Sequence, residues 1–282
     1  MLLYSFVELV VSCSDIVTIL TRKARISGRA PMKIAISGKG GVGKTTIMAL
    51  LAREFKRQGK KVLLIDADPS PHMAQTLGIR PEGVTPIAEM TRLLAERAEK
   101  TEGSPFYQLN PQVNDLLQEF MLEEEGYRLM VLGAIQKADG GCACPENHVL
   151  RKMLKKMLLE ADEVVLLDME AGVEHLGRGT VAGVDHLLIV VIPSNSSIRT
   201  GLKIKKLAEE AGIPRIWFVG NLIQDASDRT FLMAGLGAEP IAWFPDAPAI
   251  RNAERREEAV VTVSDPLDDA PALLAARLTA ME

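Results

Sequence analysis

Residues 37–46 read SGKGGVGKTT, and Gly38 to Thr45 within them fit the spacing G-x-x-x-x-G-K-[ST]. The stretch follows an apolar run, MKIAIS (32–37), that reads as a buried strand, and it opens a helical pattern over 44–58. A phosphate-binding loop needs that strand–loop–helix context. Gly40, Gly41 and Gly43 permit backbone conformations closed to other residues. The amides from Gly38 through Val42 and Gly43 can then turn inward on phosphate oxygens, helped by the helix N-terminus. Lys44 offers a point charge to the β- and γ-phosphates. The Thr45 hydroxyl suits Mg²⁺ and the Thr46 hydroxyl the α-phosphate.

Working outward, short β-branched runs alternate with helical patterns. KKVLLID (60–66), YRLMVLG (127–133), DEVVLLD (162–168), DHLLIVVI (185–192) and RIWFVGN (215–221) read as strands, with PIAWFP (240–245) as a short last one. They are nearly continuous apolar runs, the habit of parallel strands covered on both faces. Residues 145–158 and 197–211 carry further helix patterns. The expected fold class is α/β: a doubly wound, mostly parallel sheet with helices on both faces, and ligands at the carboxyl ends of its strands. The polar stretch 70–126, broken by turn residues at 102–112, reads as a helix-prone insertion between the second and third strands. The charged run Arg251 to Glu258 reads as a solvated helix face.

Composition narrows the possibilities. Of 282 residues, 47% are hydrophobic and 25% charged, enough apolar surface to offset chain entropy and exclude disorder as the dominant state. A formal net charge of −4 gives no global basic field for nucleic acid or anionic lipid. Three cysteines are too few for a disulfide scaffold, and the C-x-C pair among them suits a reducing cytoplasm. Residues 2–20 are apolar, but Glu8 and Asp15 inside the run argue against stable membrane insertion. The convincing structure begins after Met32, so residues 1–31 read as an N-terminal extension or misassigned start and residues 32–282 as a single domain.

Three further segments carry chemistry. LLIDADPS (63–70) ends the second strand with Asp66 and Asp68, two residues apart on one side of an extended chain. VVLLDMEAG (164–172) ends another strand with Asp168, and Gly172 gives the following loop freedom to move. In GGCACPENH (140–148), Pro145 suits a first helical residue, which puts Cys144 at the N-cap, where a thiolate is favoured. Cys142 and Cys144 alone cannot complete a four-ligand shell. Two copies related by a two-fold axis can, giving an S₄ site for Zn²⁺ if tetrahedral or Ni²⁺ if square-planar. An isolated C-x-C is equally compatible with two ordinary cysteines.

The loop GKGGVGKTT, with its early lysine Lys39, resembles the deviant Walker A loop of the MinD/ParA/nitrogenase-iron-protein class of P-loop ATPases. That resemblance implies that Lys39 reaches across a homodimer to the partner's nucleotide, and that Lys39, Lys44 and Asp68 form the catalytic set. Asp68, second in D-x-D-P, would orient the attacking water, and Asp168 would hold Mg²⁺ through water in the Walker B role. Asn221 at the end of VGN would meet the adenine edge, joined by backbone groups near Pro245 and Asp246. The class has Asn-Lys where this chain has Asn221-Leu222.

GGCACP, followed by DMEAGVEHLGRGT (168–180) and preceded by the deviant loop, resembles the CooC/AcsF family of nickel-insertion ATPases. The likeness runs from about Met32 to about Pro248. It implies an ATP-driven dimer that binds Ni²⁺ or Zn²⁺ at paired C-x-C motifs and serves carbon monoxide dehydrogenase or acetyl-CoA synthase. His175 and Arg178 could couple nucleotide state to the cysteines or pack in their loop, and His148 stands four residues beyond Cys144. The alternative is a positioning or partitioning ATPase of MinD/ParA type. It leaves the C-x-C unexplained, and the tail 270–282, with Arg277 as its one basic residue, suits lipid poorly.

Overall fold

A computed structural model describes residues 32–67, 72–80, 86, 98–100, 107–109, 120–132, 163–169, 183–263 and 269–281. Ten strands lie among them: β1 (Lys33–Gly38), β2 (Val62–Asp66), β3 (Ala98–Lys100), β4 (Tyr107–Leu109), β5 (Leu122–Glu124), β6 (Tyr127–Val131), β7 (Val164–Asp168), β8 (His186–Val191), β9 (Arg215–Ile223) and β10 (Ala242–Pro245). The described helices are α1 (Lys44–Arg57), α2 (Met73–Leu77), α3 (Asn195–Glu210), α4 (Ala226–Leu236), α5 (Pro248–Arg255) and α6 (Asp269–Ala280), with a 3-10 turn at Val260–Thr262.

Eight strands form one sheet in the order β10-β9-β8-β1-β7-β2-β6-β5. Every neighbouring pair is parallel except β5 and β6. β1 is therefore central, and the loop after it emerges between β7 and β8.

The continuous apolar runs follow from the pleat. Alternate residues go to opposite faces, and both faces are covered. Ile34, Ile36, Leu64, Leu166, Leu188 and Val190 pack with Ile47, Leu51 and Phe55 of α1 and Leu274 and Leu278 of α6. Ala35, Ile65, Leu167, Leu187 and Ile189 pack the other way, against Ile198 and Ile204 of α3 and Leu232 and Leu236 of α4. The Ser194 hydroxyl caps α3 by accepting from the Ser197 amide, and Asp225 caps α4 by accepting from the Ser227 and Asp228 amides.

Local differences from the sequence reading have local causes. Among its described residues the stretch 70–126 contains the short helix α2 and three strands, so it is not simply helical. Its turn-rich break includes β4, which pairs antiparallel with β3. Its end is β5, joined to β6 through Glu125 and Gly126, both at positive φ (52° and 72°), a two-residue hairpin turn. The charged run from Arg251 to Glu258 is exposed as read, apart from Ala253, which α5 turns into the core together with the preceding Ile250. The tail forms α6, whose Leu274, Ala275 and Leu278 are completely buried. No described helix is long and apolar enough to cross a membrane.

Candidate active site

The site assembles where β1, β7 and β9 end and α1 begins. Gly43 precedes α1 with φ of 87° and ψ of 28°, in the left-handed region that favours glycine. A Cβ there would stand 2.4 Å from the Asn221 amide nitrogen. The same nitrogen donates to the Val42 carbonyl over 2.8 Å, in a buried bond. Asn221, at the end region of β9, thus braces the phosphate loop directly. The arrangement commits one half of its amide to the loop and leaves the carbonyl oxygen as its acceptor.

Lys44, the first residue of α1, is only 7% exposed. Asp168, completely buried, ends β7 beside β1, where it pairs in register with Ile36. Its Oδ2 accepts from the Thr45 hydroxyl at 2.6 Å. A hydroxyl and a carboxylate side by side are hard oxygen donors of the kind Mg²⁺ takes. Lys39, at the mouth of the loop, donates to the Ser196 hydroxyl at 2.9 Å.

Two cavities meet over the loop. One, of about 600 Å³, is lined by Gly40, Gly41, Gly43, Lys44, Thr45 and Thr46 on one side and by His72, Gln75, Thr76, Glu254, Glu258 and Val260 on the other. The second, of about 190 Å³, has apolar walls from Ile47, Leu50, Phe244, Pro245, Ala247 and Ile250, with Asn221, Leu222 and Arg251 at its edge. Gly41, Gly43, Thr46 and Glu254 line both. An apolar slot with a few polar groups, opening onto a phosphate cradle, has the form of a nucleotide site.

Among the residues expected from sequence, Gly40, Gly41, Gly43, Lys44, Thr45, Thr46, Asp168, Asn221 and Pro245 come together here. Gly38 closes β1, and its backbone approaches Val190 so closely that a Cβ would stand 2.6 Å from the Val190 carbonyl oxygen. Asp246 lies at the rim. Its amide donates to the Ile223 carbonyl at 3.0 Å and its carboxylate pairs with Arg251. Asp68, Cys142 and Cys144 lie outside the described residues, as do residues 1–31, the helix pattern at 145–158, His148, Gly172, His175 and Arg178.

Glu254 is the residue that sequence reading missed. It accepts from the Thr46 hydroxyl at 2.9 Å and faces both cavities. It lies in a charged run whose default reading is solvent. The available signal was its spacing: Glu254 is one turn beyond the buried Ile250, where a short helix returns toward the loop.

Strand–loop–helix, buried lysine and the Thr45–Asp168 pair define a P-loop ATPase. The family model for the CobQ/CobB/MinD/ParA nucleotide binding domain (CbiA) matches residues 33–216. Over 207 residues the chain is 42% identical to carbon monoxide dehydrogenase accessory protein CooC of Rhodospirillum rubrum, covering 72% of this chain and 78% of that one. It is 27% identical over 179 residues to the septum site-determining protein MinD of Bacillus subtilis, covering 63% and 59%. The MinC:MinD cell division complex of Aquifex aeolicus shares the fold, with a TM-score of 0.64, 24% identity and coverage of 88% and 96%. The chain belongs to the CobQ/CobB/MinD/ParA family of nucleotide-binding ATPases and, within it, to the CooC type.

Proposed function

We propose that this chain is a cytoplasmic, ATP-hydrolysing metallochaperone. It dimerises with ATP, takes Ni²⁺ (or Zn²⁺) as cargo between the Cys142 and Cys144 pairs of two copies, and delivers nickel to carbon monoxide dehydrogenase or acetyl-CoA synthase. The observation that carries the reading is its 42% identity to CooC, named as a carbon monoxide dehydrogenase accessory protein. The C-x-C at 142–144 supports it, because two such pairs supply four thiolates.

The chemistry follows from the groups present. ATP lies with its base in the apolar slot and its phosphates along the loop amides, Lys44 and Thr46. Thr45 and Asp168 would hold Mg²⁺, which would supply charge neutralisation to the phosphates. Lys39 of each copy serves its partner's nucleotide, and Asp68 orients the attacking water. A cargo site divided between two chains loses half its ligands when they separate, so hydrolysis becomes the release step.

The test is metal stoichiometry. Purified protein is incubated with Ni²⁺ or Zn²⁺, with and without ATP, and bound metal is measured per chain. The expected result is one metal per two chains with ATP, lost in Cys142→Ser and Cys144→Ser. A double variant that keeps a full complement overturns the metal-delivery reading and leaves the ATPase assignment standing.

A further inference from the structure

The Asp66 carboxylate plays no part in the site as described so far. It is completely buried at the end of β2. Its Oδ2 accepts from the Met73 amide at 3.1 Å, in a buried bond that joins the last residue of β2 to the first of α2. Asp66 also stands in register with Asp168 on the adjacent strand, and the Ala67 amide donates to the Asp168 carbonyl at 3.0 Å. One strand therefore carries the carboxylate beside Thr45, and its neighbour carries the carboxylate that anchors α2.

The far end of α2 is fixed as well. Gly78 follows it at φ of 79°, where a Cβ would stand 2.8 Å from the Ala259 methyl. Met73 and Leu77 are buried in the core beside α1. The exposed turn of α2, with His72, Gln75 and Thr76, forms the wall of the larger cavity opposite the phosphate loop. The α2 wall is thus wedged at its C-terminal end and tied to the sheet at its N-terminal end.

We infer that Asp66 is a positioning residue for ATP hydrolysis: through its bond to the Met73 amide it sets the α2 wall of the larger cavity against the phosphate loop. A buried acceptor is well suited to this, because an amide left unpaired in the core costs about 1–3 kcal/mol. Asp66 touches neither nucleotide nor water in this role. The inference rests on the ATPase activity and on Asp68, between Asp66 and Met73, as the water-orienting group; it is independent of metal delivery.

The experiment compares Asp66→Ala with Asp66→Asn in the full chain, by steady-state ATPase kinetics, ADP binding and amide hydrogen exchange at Met73. An asparagine oxygen can still accept from the Met73 amide, and alanine cannot. Asp66→Ala should lower kcat by ~10–100-fold with KM for ATP and ADP affinity nearly unchanged. Its Met73 amide should exchange much faster than that of the wild type. Asp66→Asn should restore both kcat and protection to near wild-type levels. Wild-type kcat in Asp66→Ala overturns the inference. So does an Asp66→Asn variant as slow as the alanine one, because charge rather than the bond would then be decisive. If Asp66→Ala does not fold, Met73 exchange in the wild type and in Asp66→Asn decides: an unprotected amide in either overturns the inference. A failure of the Asp68 assignment is distinguishable, because Asp68→Ala would then hydrolyse ATP normally while the Asp66 variants still differed in exchange.

Discussion

Thr45 and Asp168, 123 residues apart in sequence, share a 2.6 Å hydrogen bond at the mouth of the phosphate loop. One opens α1 and the other closes β7, so the bond links the loop to its neighbouring strand. The two oxygens are the groups that would hold Mg²⁺, which would supply charge neutralisation to the phosphates. Thr45→Ala or Asp168→Asn should raise the Mg²⁺ concentration for half-maximal turnover about 10–100-fold. Thr45→Ser, which keeps the oxygen, should stay near wild type. A Mg²⁺ titration of ATPase rate checks this, and an unchanged midpoint in Thr45→Ala refutes it.

Gly43 and Asn221 should behave as one unit. Alanine at 43 meets two obstacles, a left-handed backbone that costs about 1–2 kcal/mol and an amide nitrogen at 2.4 Å. Gly43→Ala should therefore weaken ATP binding at least about tenfold. Asn221→Ala removes the second obstacle along with the brace on Val42. The double variant should lose less than the sum of the two single losses, with a coupling of about 0.5–3 kcal/mol. Strict additivity in calorimetric affinities counts against the contact.

The C-terminal helix is structural. Leu278 is completely buried between α6 and the α1 face of the sheet, and the Lys60 ammonium donates to the Thr279 hydroxyl at 3.1 Å. Leu278→Ala should cost about 2–5 kcal/mol in urea unfolding. A loss below about 0.5 kcal/mol would place the residue at an exposed surface instead.

His186 should make the fold sensitive to mild acid. It is completely buried at the start of β8, and its Nδ1 accepts from the Trp217 indole N–H at 3.1 Å. Burial pushes its pKa below the ordinary histidine range, nearby Arg215 adds to the push, and Asp185 opposes it. The unfolded chain therefore binds the proton more readily than the folded one. Stability from this group is fully present above about pH 6.5 and is lost as pH falls from there toward the lowered folded value. His186→Leu should be less stable at neutral pH, through loss of the acceptor for Trp217, but should show a flatter stability profile between pH 7 and 5. An unchanged slope refutes this.

Much of this architecture is written in local sequence. Seven strand segments were readable because a doubly covered strand needs an unbroken apolar run, as in VLLID and HLLIVV. The phosphate loop was readable because few residue sets can make that turn between a strand and a helix. The hairpin strand β5 was not, because LEE at the sheet margin is short and polar, and pairing depends on the turn at Glu125 and Gly126 rather than on apolar content. Glu254 escaped because its role depends on where α5 returns in space, which charge composition does not encode. Asp66 was visible as half of D-x-D, but its tie to Met73 depends on where α2 begins in space.

The two margins of the sheet have a consequence for how copies can meet. One margin is β5, three residues long with glutamates at 123 and 124, and the other ends at Pro245, which has no amide hydrogen to offer. Strand-by-strand growth into fibres is discouraged at both. Neither margin thus offers a long, flat template on which further copies could stack irreversibly.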